Sequence, residues 1–291
     1  MPIGFSYKGK HSYRDFGALL QSKSRPILPQ KRQKYVDLPN RDGSPNLAAV
    51  NDYRRAMYDN RTFTVALLIR AEEIVELETK ISRVAEWLVG NGALIFDDMP
   101  NVQWDATVDS AVDYAPERYG KKAILTVSFT VQPFSQALFS VGTGVYLGEA
   151  TPLGASITLG AVDNYDVIEG TGGSIKINNV GTAWARPLVR VTRASGAAVR
   201  SWRMSLGGRT LRVAADDVIS NTGWEVDLDT YNVYRLTGTG REINAGALEG
   251  SFFELPPGES WLAFVFSEFG EYHIKLIYRP QYIYNYIGGE G

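Results

Sequence analysis

The stretch SFFELPPGESWLAFVF, Ser251 to Phe266, decides how the second half of this chain is read. Two aromatic-rich arms are divided by Pro256-Pro257-Gly258. Pro257 presets φ for the second position of a type II turn, and Gly258 supplies the positive φ required at the third. Phe253 and Leu255 alternate onto one face of the first arm. Beyond the turn, Trp261 to Phe266 is apolar on both faces, the pattern of a strand covered on both sides. The stretch therefore predicts a hairpin of two core strands, with Trp261 inside. The competing reading is an aromatic platform, with Trp261 turned outward.

The neighbouring segments have the same character. GSIKINNVG, RPLVRVT, SWRMSLGGRTLRV, GWEVDLDTYNVYRL and GEYHIKLIYR are short apolar alternations separated by Gly, Asn and Pro. Gly207-Gly208 is a tight hairpin signal. Closely spaced strands with such turns predict an all-β sandwich. A Gly- and Ser-rich passage from Phe134 to Gly154 separates this half from the first. The expected organisation is residues 1–140, then a sandwich over 141–279, then a tail over 280–291.

The first half is α+β. Phe63, Val65, Leu67 and Ile69 alternate on one strand, and Ala123, Leu125, Val127, Phe129 and Val131 on another. Between them Ile74, Leu77, Ile81, Val84 and Leu88 recur at three- and four-residue steps, which predicts a helix over about 72–89 with that stripe inward. Glu72, Glu73 and Glu76 suit its N-terminal end. Gly90-Asn91-Gly92 stops it. Near the N-terminus Ile3, Phe5 and Tyr7 precede a turn at Gly9, a short hairpin. The fold class is mainly β with one N-terminal helix.

Composition narrows the chemistry. The 291 residues carry a formal charge of −2, no cysteine and two histidines. A nucleic-acid binder would show a basic footprint. Without cysteine there is no disulfide, thiolate nucleophile or Cys metal site. No window reaches the roughly 18 apolar residues of a membrane span. The N-terminal MPIGFSYKGKHSYRDFG has no apolar run of signal-peptide length, which predicts synthesis in the cytoplasm.

No nucleophile elbow, phosphate-binding loop or zinc-protease motif occurs. His11 has no recognisable partner motif, and His273 falls on the polar face of EYHIKLIY. The acid pairs Asp97-Asp98, Asp216-Asp217 and Asp227 with Asp229 suit solvated turns, since Asp bonds its own backbone there. A glycosidase would need two of them facing across a cleft. DNYD, Asp163 to Asp166, lacks the spacing of a calcium loop. No catalytic, cofactor or metal residue is assigned.

The unusual charge feature is the run Lys23, Arg25, Lys31, Arg32 and Lys34, which contains no acid between Gln21 and Tyr35. The prolines of Gln21 to Asn46 exclude a central strand. The segment is either a solvated loop or a ribbon that reaches a neighbouring subunit, with acids near Asp97, Asp98, Asp105 and Asp109 as candidate partners.

Several motifs, in order, resemble one family. FSYKGKHSYRDFG, DLPNRDGS, LETKISRVAEWL, GALIFDDMPNVQWDATV and VSFTVQPF lie in the first half. NNVGTAWARPLVRVT, WEVDLDTYNVYR and FFELPPGES lie in the second. Together they are similar to the distal tail protein of long-tailed, siphovirus-type bacteriophages. The resemblance implies an N-terminal ring-forming domain and an outer galectin-like or carbohydrate-module-like β-sandwich. It implies a ring, commonly six-fold, at the distal end of the virion's tail, with a channel for DNA. The implied partners are other copies of the chain, the tail tube protein, the tail-tip or receptor-binding protein, and the tape measure protein. No enzyme activity, cofactor, sequence-specific nucleic acid or membrane insertion is implied. The alternative is a carbohydrate-binding sandwich contacting host glycan, with Trp184, Trp202, Trp224 or Trp261 stacking on sugar; exposure of those rings discriminates the two.

Overall fold

The computed structural model describes residues 4–40, 42–47, 56–108, 112–116, 121–138, 166–196, 199–214, 223–237, 240–243 and 248–283. The chain forms two compact units: Met1–Gln136 with Ile283–Gly291, and Ala137–Tyr282.

The first unit contains β1 (Phe5–Tyr7), β2 (Lys10–His11), α1 (Ser12–Phe16), β3 (Leu19–Ser24), β4 (Arg61–Arg70), α2 (Ile74–Leu88), β5 (Gly90–Phe96), β6 (Val102–Val108), β7 (Asp113–Pro116) and β8 (Lys122–Val131). The strand order is β2-β1-β5-β6-β8-β4-β3, and β7 also pairs with β8. The long pair β4–β8 sets Phe63 opposite Phe129, Val65 opposite Val127 and Leu67 opposite Leu125. All six side chains are buried, so the alternation places one face of the pair in the core. α1 is a five-residue helix that the apolar periodicity did not announce.

The helix α2 buries Leu77, Val84, Trp87 and Leu88. The expected stripe is displaced. Ile74 is 61% exposed and Ile81 only half-buried, whereas Trp87 is inside. At about 100° per residue, Ile74 lies roughly 80° round the helix from Val84, while Trp87 lies about 60° to the other side. The indole of Trp87 stacks on Phe16, centroids 4.5 Å apart, and on Phe5, 5.7 Å apart. Its Nε1 donates to the Tyr7 carbonyl at 2.8 Å. The aromatic cluster draws the buried arc toward Trp87 and leaves Ile74 outside.

The chain leaves this unit through β9 (Ser135–Ala137). The second unit contains β10 (Asp166–Asn179), β11 (Leu188–Gly196), β12 (Ser201–Leu206), β13 (Arg209–Ala214), β14 (Gly223–Asp227), β15 (Asn232–Thr237), β16 (Gly240–Ile243), β17 (Leu248–Gly250), β18 (Gly258–Ile277) and β19 (Gln281–Tyr282). The order is β16-β15-β14-β11-β18-β12-β13-β17, with β10 along the other side of β18. One strand organises this unit. The first half of β18 pairs with β12 and its second half with β11. β10 follows it throughout, with a register shift between Gly170 and Gly172. The sheet curls there, and its two parts bury one cluster. Trp202, Met204 and Val213 from one part meet Val191, Trp224 and Val226 from the other.

The opening stretch is corrected in two respects. Gly258 does have positive φ, 82°. The arms on either side of it, however, do not pair with each other. Leu255 bridges Ala185, and β18 pairs with β10, β12 and β11. Nor is Trp261 to Phe266 covered on both sides. Leu262, Phe264 and Phe266 are buried, but Trp261 is 63% and Val265 41% exposed. The curled sheet encloses its inner face alone, so the outer face of this half-strand is left open despite its apolar residues.

Candidate assembly surface

The basic segment begins on β3, the terminal strand of the first sheet. Its acid partner comes from the same chain. Arg25 donates to both Asp98 oxygens, the shorter contact being 2.7 Å, and Lys23 pairs with the same carboxylate. Both cations also lie over the Phe96 ring, at 4.6 Å for Arg25 and 5.5 Å for Lys23. Asp98 is thus a tie within the chain, across 73 positions, not a solvated turn acid. Burial alone would raise its carboxyl. The Lys23 hydrogen bond and the Arg25 charge outweigh burial and hold it below the usual range.

Further along, Arg32 Nε donates to Asp59 at 2.9 Å. Backbone bonds from Arg32 N to Met57 O and from Asp59 N to Gln30 O dock this stretch on residues 57–59. The ribbon then doubles back. Leu47 N donates to Lys34 O, Val36 N to Pro45 O, and Lys34 N to Asn46 Oδ1. Prolines deny it a long ladder, so single bridges hold it, Lys31 to Tyr58 and Tyr35 to Asn46.

A buried arginine anchors the ribbon from beneath. Arg61, 3% exposed, donates Nε to Pro133 O at 2.8 Å and Nη1 to Ile27 O at 3.0 Å. Its Nη2 donates to Ile283 O. Burial pushes its pKa down to about 10, so it remains a cation at neutral pH.

What the ribbon shows outward is mixed. The side chains of Lys31 and Lys34 are exposed. So are Ile27 at 68%, Leu28 at 59% and Tyr35 at 61%. The charges of this segment are visible in the sequence; the outward apolar side chains between them carry no sequence signal, because no periodicity links them. A ribbon held by these bonds, with exposed apolar and cationic groups, suits burial against another surface.

The remaining candidates separate clearly. His11 is 6% exposed; its Nδ1 accepts from Tyr13 N and Arg14 N at 3.1 and 3.2 Å, and its Nε2 faces Asp97. A ring nitrogen already capping a helix is not free to act as a base. Asp97 also accepts from Gly4 N at 2.7 Å. Asp227 accepts from Asp229 N and Thr230 N, an Asx turn. His273 lies beside Glu271 at 2.9 Å. Among the described residues no group of three or more potential metal ligands converges. Of the tryptophans, Trp202 and Trp224 are buried, Trp184 half-buried and Trp261 exposed. Asp109, Asp163, Asp216, Asp217 and residues 284–291 lie outside the described residues.

Residues 17–131 match the family described as phage tail protein RIFT-related domain. Over its length the chain shares a fold with the SPP1 Dit protein, whose crystal structure is described as a paradigm of the hub adsorption apparatus in phages infecting Gram-positive bacteria. The TM-score is 0.67 at 14% identity, covering 96% of this chain and 98% of that one. A chain of the phage P2 baseplate, in its activated conformation with calcium, aligns at a TM-score of 0.45 and 9% identity over 95% of this chain and 98% of that one. No curated protein sequence matches. Both the tail-protein domain and the shared fold agree with the distal tail family that the motifs resemble.

Proposed function

We propose that this chain, with a phage tail-protein domain in its first unit and the fold of a tail hub throughout, is a distal tail protein that closes into a ring. One observation carries the reading: the tail-protein match over residues 17–131 includes most of the first sheet and the whole exposed ribbon. Ring closure needs a heterologous contact, in which one surface of each copy meets a different surface of the next. The ribbon, with Lys31, Lys34, Ile27, Leu28 and Tyr35, supplies one such surface. Lys23, Arg25 and Arg32 support it from within through Asp98 and Asp59.

On this reading residues 1–140 form the ring, 141–279 face outward, and 280–291 meet a further partner. The ring, a hexamer, sits at the distal end of the tail, between the tube protein and the tail-tip or receptor-binding protein. It contacts the tape measure protein and leaves a channel for DNA. The protein acts by shape and multivalent contact, with no catalytic step. Weak contacts closed in a ring reinforce one another, because each new subunit meets neighbours already held in place.

The test is the purified chain under light scattering and negative-stain microscopy. Closed rings of uniform subunit number support the proposal. A monomer at every concentration up to the millimolar range, with no ring on the grid, refutes it.

A further inference from the structure

We propose that a pocket at the C-terminal end of α2 receives the N-terminal end of α2 from a neighbouring copy, so that the helices follow one another head to tail. The inference rests on the ring reading and names a pair of complementary surfaces for it, separate from the ribbon.

The pocket has a volume of about 280 Å³ and is lined by Lys8, Lys10, Phe16, Arg83, Glu86 and Trp87. The stacked rings of Phe16 and Trp87 give it an aromatic wall, and Lys10 Nζ lies 5.9 Å from the centre of the Phe16 ring. Lys8 is committed to the helix, its Nζ donating to Val89 O at 2.6 Å. Lys10 and Arg83 are exposed, and neither has an acid partner among the described residues. An aromatic wall beside two uncommitted cations suits an apolar side chain carried next to a carboxylate. Small-molecule sites begin at roughly 300 Å³, so this pocket is better matched to inserted side chains than to a cofactor. Glu86 on the lining disfavours a polyphosphate or a nucleic-acid backbone by like-charge repulsion.

The opposite end of the same helix has the complementary composition. Glu72 and Glu73 are exposed, and their carboxylates have no cation partner among the described residues, whereas Glu76 is held by Lys80 at 2.7 Å. Ile74 and Val75 follow directly, 61% and 71% exposed. The helix dipole accounts for acids at this end and for Lys8 at the other. It does not account for two adjacent aliphatic side chains in solvent, nor for an aromatic pocket flanked by Arg83. With 15 residues, α2 holds its two ends about 22 Å apart. Two complementary patches at opposite ends of one rigid element meet the requirement of a heterologous contact, in which each copy offers one patch and receives the other. Pairing either end with its own kind would set like charges against each other.

The experiment is a charge exchange in the full chain. Glu72→Lys with Glu73→Lys should reduce ring formation at least tenfold at low salt, and so should Lys10→Glu with Arg83→Glu, each in protein that folds by circular dichroism. The fourfold variant restores complementarity with inverted sign and should regain rings. A second readout uses the absence of cysteine from the chain. Val75→Cys and Glu86→Cys proteins, mixed and oxidised with copper phenanthroline, should give a cross-linked dimer that neither gives alone. Rings that persist in both reversed pairs overturn the proposal, as does a folded fourfold variant without rings or a mixture without the cross-link; in each case rings of the parent leave the assembly reading standing. If the parent forms no rings, the assembly reading fails, and the cross-link at high protein concentration decides this contact by its presence or absence.

Discussion

His11 and Asp97 meet within the first unit: the imidazole Nε2 lies 3.1 Å from each carboxylate oxygen, across 86 positions of sequence. Because Nδ1 accepts from two backbone N–H groups, the ring proton resides on Nε2 and is donated to Asp97. The histidine therefore joins the start of α1 to the end of β5. His11→Ala removes a helix cap and leaves Asp97 without this donor. We expect the first unit to lose about 1–2 kcal/mol, near the upper range for a lost cap. Thermal denaturation followed by near-ultraviolet dichroism measures it; an unchanged transition would show that neither bond contributes.

Arg61→Met should be more costly than its conservative appearance suggests. The methionine fills space but removes the donor that Arg61 supplies to the carbonyls of Ile27 and Pro133. Losing the donor to these part-buried acceptors should cost no more than about 1–3 kcal/mol, because water relieves part of the loss. Urea unfolding should show a loss within that range, and protease should cut first near Ile27 in the variant. Equal midpoints for the variant and parent would exclude the anchoring role.

The displaced face of α2 gives a paired test. Leu77→Asp places an unpaired charge in the core and should prevent folding of the first unit. Ile74→Asp, three residues earlier and outside, should change stability by no more than about 0.5 kcal/mol. Circular dichroism and soluble yield separate the two. A folded L77D protein would place the core on the other side of the helix.

Lys31→Glu with Lys34→Glu tests the assembly surface more cleanly than reversal of the whole basic run. Arg32 is left in place because it holds the ribbon to Asp59. The double variant should fold normally and form fewer rings, with the defect relieved as salt rises, since exposed charges are screened beyond about 10 Å at 0.1 M. Each exposed pair is worth only about 0–1 kcal/mol, so the loss is partial. Rings of normal abundance at low salt would return the ribbon to a solvated loop.

Asp98 predicts an acid dependence. Its folded-state carboxyl is held below the ordinary 3.8 despite burial, by Lys23 and Arg25. A depressed carboxyl contributes stability that is complete above the unfolded value and is lost as pH falls through the folded one. The parent should lose this contribution below about pH 4, while Asp98→Asn lacks it already at neutral pH. Denaturation midpoints between about pH 6 and pH 2 should converge for the two proteins at the acid end. Parallel curves would mean that the pair contributes nothing.

Much of the architecture was legible in local pattern. The alternation of Phe63 to Ile69 and of Ala123 to Val131 specified two strands with one core face each, because successive side chains point to opposite sides. Gly207-Gly208 and Gly258 specified turns through positive φ, at 56°, 82° and 82°. The motif order resembles that of the distal tail family, and the tail-protein domain match over residues 17–131 agrees with it. These are properties of neighbouring residues, and neighbours are what a sequence displays.

Tertiary structure decided what depends on distant residues. Alternation gives a strand two faces, but only the curl of the sheet at Gly170 and Gly172 determined which face of β18 is covered, and it put Trp261 outside. The helix period allowed an arc containing Ile74 or one containing Trp87, and the stacking of Phe5 and Phe16 chose the second. The basic run showed no acid among its neighbours, yet the fold brought Asp98 to Arg25 from 73 positions away. An ion pair or a covered face needs two segments to meet, and their meeting is set by packing of the whole unit.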